Sequence, residues 1–197
     1  KRILSSIILI FLSLFFIIKG SFYFIFFLLI CFVVCIYEWY QMNKKNDYFF
    51  YGIFFLIFSF YTVYDLRNDD DLRFFLLIVV ICISTDIGGY IFGKTFKGPK
   101  LTKISPNKTY AGMFGSFFLT IIFSYIFFNN FNLLKLGDSV NTVEHFFIII
   151  LLTSFVSQVG DLIISFFKRK AKIKNTGKII PGHGGLLDRI DGMVFAF

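Results

Sequence analysis

Cysteine is scarce in this sequence, and its three copies form no metal-binding or disulfide pattern. Cys31, Cys35 and Cys82 lie inside apolar runs and make no CxxC pair, so we interpret them as small buried apolar residues. The sequence also lacks internal repeats, low-complexity linkers and, after its first apolar run, an obvious A-x-A cleavage site. That first run is therefore predicted to be a retained helix rather than a cleaved signal peptide.

Apolar residues are abundant instead. They make up 57% of the 197 residues, whereas a soluble domain holds roughly 45–50%. We predict an all-α fold, a polytopic helical bundle in one membrane domain (1–197), with N-terminal spans in 3–64 and a catalytic portion in 74–197. With about 20 residues needed to cross a bilayer, the six predicted spans are 3–18, 21–37, 48–64, 74–92, 110–128 and 146–167. A seventh apolar run begins at Met193, and the chain opens on Lys1, so we expect the natural chain to continue beyond both ends.

Charged residues alternate between the predicted loops. Loops 38–47, 93–109 and 168–178 are basic, whereas 65–73 is acidic and 129–144 carries a single lysine. The positive-inside rule places the basic loops in the cytoplasm, which six spans with both ends inside satisfy. The net charge of +8 therefore indicates membrane orientation and no nucleic-acid partner. Topology alone explains the first basic loop, but the other two carry further motifs.

The sixth span carries a polar stripe. Its residues, at spacings of 4, 3, 4 and 3, are Ser154, Gln158, Asp161, Ser165 and Lys168. These spacings place them on one helix face. An aspartate inside a span costs about 2.5–3.5 kcal/mol on insertion scales and usually faces a cavity or the bundle interior. Asp161 is therefore a candidate functional residue; the alternative is a buried aspartate paired with a lysine for packing.

The fourth span and the loop after it contain further candidates. Asp86 shares a helix face with Gly89, where glycine also permits close helix packing. In the following loop Ser105 precedes a proline, which is a helix-start signal. A helix that begins there would carry Lys108 in its first turn and would offer an anion-binding N-terminus.

The stretch PGHGGLLDRID, residues 181–191, is polar and rich in glycine. Its glycines allow close backbone approach, and their N–H groups could bind phosphate. Asp188 and Asp191 share a helix face, and Mg²⁺ is usually held by one or two carboxylates together with substrate phosphates. His183 could be a phosphate donor, a base or a structural loop residue.

Acids suited to a metal ion occur together with lysines and glycines suited to polyphosphate, all on the predicted cytoplasmic side. Phosphoryl and nucleotidyl transfer depend mainly on positioning and charge neutralisation, so this combination favours such a reaction. The membrane setting indicates that one substrate is a lipid.

Residues 165–191 resemble the signature of the CDP-diacylglycerol synthase (phosphatidate cytidylyltransferase) family. The matching residues are Ser165, Lys168, Arg169, Lys174, Gly177, Ile180, Pro181, His183, Gly184, Gly185, Asp188, Arg189 and Asp191. Further matches are Gly160 to Leu162, Asp86 with Gly88 and Tyr90, and Ser105 and Pro106 with Lys108 and Thr109. The resemblance covers roughly residues 84–192 and is specific, because many fixed polar residues agree in spacing.

The resemblance implies an all-helical integral membrane nucleotidyltransferase, a homodimer in the bacterial inner membrane with its active site facing the cytoplasm. It would transfer CMP from CTP to phosphatidate, releasing pyrophosphate and forming CDP-diacylglycerol for phospholipid biosynthesis. Asp161 and Asp188 match the family's acids for Mg²⁺, which an accompanying monovalent cation such as K⁺ would assist, and Lys168 and Arg169 would join them in catalysis. The implied substrate-binding residues are Asp86, Ser105, Lys108, Ser165, Lys174, His183, Gly184, Gly185, Arg189 and Asp191.

Two positions depart from the family pattern, and each lacks one negative charge: Asn175 stands where Asp is usual and Ala111 where Glu is usual. The alternatives are a relative that uses another lipid phosphate, an inactive family member serving as a membrane scaffold, and an ion-coupled transporter with Asp86 and Asp161 as relay acids. A CDP-alcohol phosphotransferase would need a DGxxAR stretch, and no AR follows the Asp-Gly pair at 191–192.

Overall fold

The computed structural model of the chain describes residues 2–44, 48–68, 72–130, 143–180 and 184–197. The helices are α1 (Arg2–Lys19), α2 (Ser21–Asn43), α3 (Phe49–Asn68), α4 (Leu72–Phe96), α5 (Tyr110–Asn130), α6 (Val143–Lys170), α7 (Leu187–Ile190) and α8 (Met193–Ala196). Within these ranges the only β-type pairings are isolated bridges, Lys100 with Thr109 and Ile180 with Gly184. The predicted all-α fold is confirmed.

Among the described residues, five helices are long and apolar enough to cross a membrane. They are Ser21–Asn43, Phe49–Asn68, Leu72–Phe96, Tyr110–Asn130 and His145–Lys170. A helix satisfies its own backbone hydrogen bonds, which lipid cannot do, and can therefore span a bilayer. These segments thus form a polytopic membrane protein, as predicted. The first predicted span is helical as α1, and its described apolar part, Leu9–Lys19, is shorter than a full span.

Several helices extend beyond the apolar runs that predicted them. α2 continues to Asn43, α4 to Phe96 and α6 to Lys170. The predicted loops 38–47, 93–109 and 168–178 were therefore wrong over their first residues, which are helical. Apolar composition marks only the part of a helix that lies in hydrocarbon. Lysine and arginine are good helix formers, and the backbone hydrogen-bond ladder therefore continues through them.

The chain forms two compact units. One comprises Lys1–Leu72 and Phe167–Val194, and the other comprises Arg73–Phe166 and Phe195–Phe197. The first unit contains α1 to α3, the C-terminal end of α6, and α7. The second contains α4 almost entirely, α5 and most of α6. That the whole chain is a single membrane domain stays a prediction.

In the second unit, α4 and α5 pack backbone against backbone. A Cβ atom added at Gly88 would lie 2.6 Å from the Gly115 carbonyl oxygen, and one added at Gly112 would lie 2.8 Å from the Gly89 carbonyl oxygen. Both distances are shorter than a carbon–oxygen contact allows. The glycines of α4 therefore serve close helix packing, as small residues commonly do in membranes.

Buried hydroxyl groups join α4, α5 and α6 in the same unit. Thr85 Oγ1 lies 3.0 Å from Thr120 Oγ1 and 2.8 Å from Ser154 Oγ. Ser116 donates a hydrogen bond of 2.7 Å to the Thr85 carbonyl oxygen. All four side chains are buried, and their mutual bonds satisfy polar groups that lipid could not. The network fixes the segments of α4 and α6 that carry Asp86 and Asp161.

In the first unit, Trp39 of α2 is buried against α3 and the end of α6. Its indole N–H donates to the Phe49 carbonyl oxygen at 3.1 Å, and its ring meets Phe167 edge-on at 5.0 Å between centroids. A side chain at Gly52 would collide with the indole. These contacts fix the C-terminal part of α2. Trp39 directly follows Glu38, so they also fix the position of Glu38.

The cysteines are free thiols, and Cys35 and Cys82 are buried while Cys31 is partly buried. The interpretation as small buried apolar residues is therefore confirmed for Cys35 and Cys82 and only in part for Cys31.

Candidate functional site

An ion pair between Lys108 and Asp161 forms the first group of predicted residues, in the second unit. The Lys108 ammonium lies 2.5 Å from Asp161 Oδ2, with both side chains about one quarter exposed. Ser165 donates to Asp161 Oδ1 at 3.3 Å, one helical turn away on α6. The pairing with a lysine that belonged to the alternative, packing interpretation of Asp161 is therefore observed. The pair is only partly buried, so it stays within reach of a ligand.

This ion pair lines a cavity of about 280 Å³. Asp86 and Ser105 also line it, so four residues predicted as site residues surround one space. Gln158 lines it too, and its side-chain Nε2 is buried without a hydrogen-bond partner among the described residues. The lining offers carboxylates, an ammonium and amide and hydroxyl groups, which suits a ligand that carries phosphate and hydrogen-bonding groups.

The predicted helix start at Ser105 was wrong. Residues 105–108 form a turn, closed by a 3.0 Å bond from the Lys108 N–H to the Ser105 carbonyl oxygen, and α5 begins at Tyr110. Thr109 is the N-cap instead, because its Oγ1 accepts the Gly112 N–H at 3.1 Å. Proline fits the second position of a β-turn as well as the first turn of a helix. Lys108 thus reaches Asp161 from a turn.

A second group of predicted residues lies in the first unit, where Lys168 bridges two aspartates. Its ammonium is 2.9 Å from Asp188 Oδ1 and 3.6 Å from Asp191 Oδ2. The three side chains are only 11, 9 and 14% exposed. Nearly buried charges need both counter-charges and hydrogen bonds to offset their desolvation. The predicted proximity of Asp188 and Asp191 is observed, with a cation already between them.

The other oxygen of Asp188 joins the described parts of the segment between α6 and α7, residues 171–180 and 184–186, which we call the signature loop. Oδ2 accepts the backbone N–H groups of Thr176 at 2.8 Å and Gly185 at 3.1 Å. The Gly185 N–H, predicted to bind phosphate, therefore donates within the protein. Gly184 has φ +94°, and a Cβ there would lie 2.9 Å from Asp188 Oδ2, so both the backbone conformation and the close approach require glycine.

The remaining predicted cations are exposed on the same unit. Arg169, Lys174 and Arg189 have exposed side chains, and Arg169 donates to the Ile173 carbonyl oxygen at 3.4 Å. Exposed cations can meet a polyanion without a large desolvation cost. His183 lies outside the described residues.

Glu38 of α2 is a residue that sequence reasoning missed. It is 1% exposed, although its loop was explained by topology alone. Its Oε1 accepts the Leu186 N–H at 2.9 Å, and its Oε2 accepts the Leu187 N–H at 2.9 Å and the Thr176 hydroxyl at 2.8 Å. The signal was present: an acid inside an apolar helix, the same criterion that singled out Asp161.

Asp161 and Asp188 fit a Mg²⁺ ion that takes few protein ligands. Among the described residues, no group of three or more His, Cys, Asp or Glu side chains converges. Mg²⁺ usually takes only one or two carboxylates, with water and substrate oxygens completing its shell. Asp161 and Asp188 each hold a lysine ammonium where a cation could sit, and Asp188 has only Oδ1 available because Oδ2 binds the loop.

Comparison with known proteins finds similar proteins that share one name. A phosphatidate cytidylyltransferase of Haemophilus influenzae is 38% identical over 125 residues, covering 62% of this chain and 43% of that protein. The enzyme of that name from Rickettsia conorii is 40% identical over 132 residues, 64% of this chain and 56% of the relative. A third, from Staphylococcus aureus, is 35% identical over 169 residues, which cover 79% of this chain and 60% of the relative. The chain thus spans about half the length of these curated relatives.

The match to a known family extends over most of the chain. It begins at residue 47 and runs to residue 197, so it includes the turn with Lys108, the stripe of α6 and the whole signature loop, while Glu38 precedes it. The resemblance noted from the signature residues agrees with this match. The chain therefore belongs to the cytidylyltransferase family.

Proposed function

We propose that this protein is a nucleotidyltransferase that transfers CMP from CTP to phosphatidate, giving CDP-diacylglycerol and pyrophosphate. The observation that carries the proposal is Lys168 held between Asp188 and Asp191, inside the signature segment of a family whose relatives bear that enzyme's name. Because the chain spans only part of those relatives, the activity of the whole protein is inferred from the site.

In the proposed reaction, an oxygen of the phosphatidate phosphate attacks the α-phosphorus of CTP. The bond from that phosphorus to the oxygen bridging the α- and β-phosphates breaks, and pyrophosphate leaves. Lys108 and Lys168 neutralise phosphate oxygens, because each ammonium can exchange its carboxylate partner for a phosphate partner of similar geometry. Exposed Arg169, Lys174 and Arg189 attract the polyanion. Positioning and charge neutralisation supply most of the catalysis.

The proposed metal cofactor is Mg²⁺, with K⁺ as an accompanying ion. Asp161 in the second unit and Asp188 in the first are the candidate carboxylates, each considered within its own unit. When bound, Mg²⁺ would neutralise charge on the phosphates and the leaving pyrophosphate. Asp188 would serve through Oδ1 while Oδ2 keeps Thr176 and Gly185 in place.

We further propose that the protein is a homodimer in a bacterial inner membrane and acts on the cytoplasmic side. The named relatives are bacterial, and the basic residues of 93–109 and 168–178 favour a cytoplasmic position for both segments.

The test uses membranes that contain the full-length protein, with phosphatidate, Mg²⁺ and CTP labelled at either the α- or the γ-phosphate. We expect α-label in the extracted lipid and γ-label in pyrophosphate. γ-label in lipid would indicate phosphoryl transfer instead, and no label in lipid would favour an inactive scaffold. Lys168→Met should abolish transfer, while Lys44→Met, an exposed lysine at the end of α2, is the matched control.

Lipid specificity is tested in the same assay. An isoprenoid glycerophosphate replaces phosphatidate at equal concentration in mixed micelles. Preference for phosphatidate supports the proposed substrate, and preference for the isoprenoid lipid assigns the chain to the relative that uses another lipid phosphate.

A further inference from the structure

Glu38 holds the signature loop from a helix that precedes the family match. Its carboxylate accepts three hydrogen bonds, from two consecutive backbone N–H groups at Leu186 and Leu187 and from the Thr176 hydroxyl. The side chain is 1% exposed, and these three donors stabilise it. A buried carboxylate is stable only where such donors offset its desolvation.

The loop is shaped to admit this carboxylate. A Cβ added at Gly177 would lie 2.7 Å from Glu38 Oε1, and one added at Gly185 would collide with both Thr176 and Glu38. Glycine at these two positions therefore makes room for an acid that comes from a distant part of the chain.

Thr176 connects Glu38 to Asp188. Its hydroxyl donates to Glu38 at 2.8 Å, and its backbone N–H donates to Asp188 Oδ2 at 2.8 Å. Gly185 donates to the same Asp188 oxygen, and Leu186 after it donates to Glu38. Each side of the loop thus contacts both carboxylates, so a shift of Glu38 would move the backbone that fixes Asp188.

We propose that Glu38 is a positioning residue for CMP transfer: it orients Asp188 toward Lys168 through Thr176 and Leu186. The role rests on the proposed function of this site. Glu38 directs both oxygens to loop donors and touches no reacting group, so it acts through Asp188.

Glu38→Gln tests the role with little change in shape. An amide has one oxygen and one NH₂ group, whereas Leu186 and Leu187 both present N–H donors to the carboxylate. One of these must then face the NH₂ group, which leaves a buried donor unpaired. Glu38→Asp keeps both acceptor oxygens on a shorter side chain. It should therefore retain more of the function than Glu38→Gln does. The matched control is Asn43→Ala, an equally buried polar residue of α2 whose amide, among the described residues, donates to the Trp39 carbonyl oxygen.

We expect Glu38→Gln to lower kcat at least tenfold while the KM for CTP changes less than about threefold, because Asp188 shifts but the exposed cations stay. Glu38→Asp should recover part of kcat, and Asn43→Ala should keep it within about threefold of the wild type. Thr176→Val removes only the hydroxyl and should lower kcat less. The double variant Glu38→Gln, Thr176→Val should lower kcat by less than the product of the two single fold-changes, since both substitutions act through one contact.

A second readout does not depend on activity. Hydrogen exchange of the Leu186 and Leu187 amides should accelerate at least tenfold in Glu38→Gln and stay unchanged in Asn43→Ala, in protein whose elution profile shows it to be folded. Unchanged exchange together with unchanged kcat overturns the proposal. A loss of kcat that Asn43→Ala reproduces also overturns it, as general destabilisation. An inactive wild-type protein would instead overturn the proposed function, on which this role depends.

Discussion

Lys168 and Asp188 form an ion pair of 2.9 Å between side chains that are only 11 and 9% exposed. Because the aspartate uses its second oxygen for backbone donors, the pair is held in one geometry. Removing the Lys168 charge would leave the nearly buried carboxylate of Asp188 without this counter-charge, which is costly.

The carboxylates Asp161 and Asp188 should be indispensable for transfer. We expect Asp161→Asn or Asp188→Asn to lower turnover on the order of 10²–10³, comparable to losing a main electrostatic stabiliser. Transfer of α-labelled CMP into lipid measures the effect. Asp65→Asn, an exposed acid of α3, is the control and should retain wild-type turnover. Full activity of either variant would remove that residue from the site.

Gly184 should tolerate no side chain, for two separable reasons. Gly184 has φ +94° and Gly98 has φ +89°, but a Cβ at Gly98 would meet nothing within 4 Å. Gly98→Ala should therefore cost only the left-handed strain, about 1–2 kcal/mol. Gly184→Ala should add a collision with Asp188 and lower turnover as well as the midpoint of thermal unfolding. Equal turnover in the two variants would contradict the contact with Asp188.

Asn175 should be a neutral departure from the family pattern. It is exposed and lies beside Gly184, where a Cβ would be 3.3 Å from its Cβ, so we expect it to support the loop rather than to hold a metal ion. Asn175→Asp should change turnover less than about tenfold, roughly 1.4 kcal/mol. A hundredfold rise would show that the natural residue disables the enzyme and would favour the scaffold.

Membrane orientation can be measured with single cysteines in a chain whose native cysteines are replaced. Positions Lys97 and Lys172 lie in basic segments, which should face the cytoplasm, and should resist an impermeant thiol reagent added to intact cells. A cysteine at Asn68, at the end of α3, should react. Labelling at Lys97 or Lys172 from outside would contradict the orientation, and labelling after cell lysis shows that the thiol is accessible.

The apolar runs predicted the membrane helices because hydrocarbon imposes both length and composition on a span. Helix periodicity likewise brought Asp161 and Ser165 together on α6, where they form a hydrogen bond. Lys108 was predicted in the first turn of a helix and not as the partner of Asp161. It lies in a turn instead, because a proline after Ser105 suits a turn as well as a helix.

The contact of Glu38 with the signature loop could not be predicted from spacing. Two of its three partners are backbone N–H groups, which every residue except proline carries, so no side-chain motif marks them. Only the placement of an acid beside Trp39 in an apolar helix distinguished it. Contacts between an acid and a remote backbone depend on tertiary packing and become visible only in the folded chain.

The backbone contact of Gly88 with Gly115 divides α4 into positions with different freedom to change during evolution. Ile83, Ile87 and Ile91 are more than 40% exposed and touch little protein, so isoleucine, phenylalanine and leucine can replace one another there. At Gly88 even a methyl group has no space. Phenylalanine can therefore accumulate on the outward faces of the helices. The glycine contact, by contrast, keeps α4 and α5 in one register.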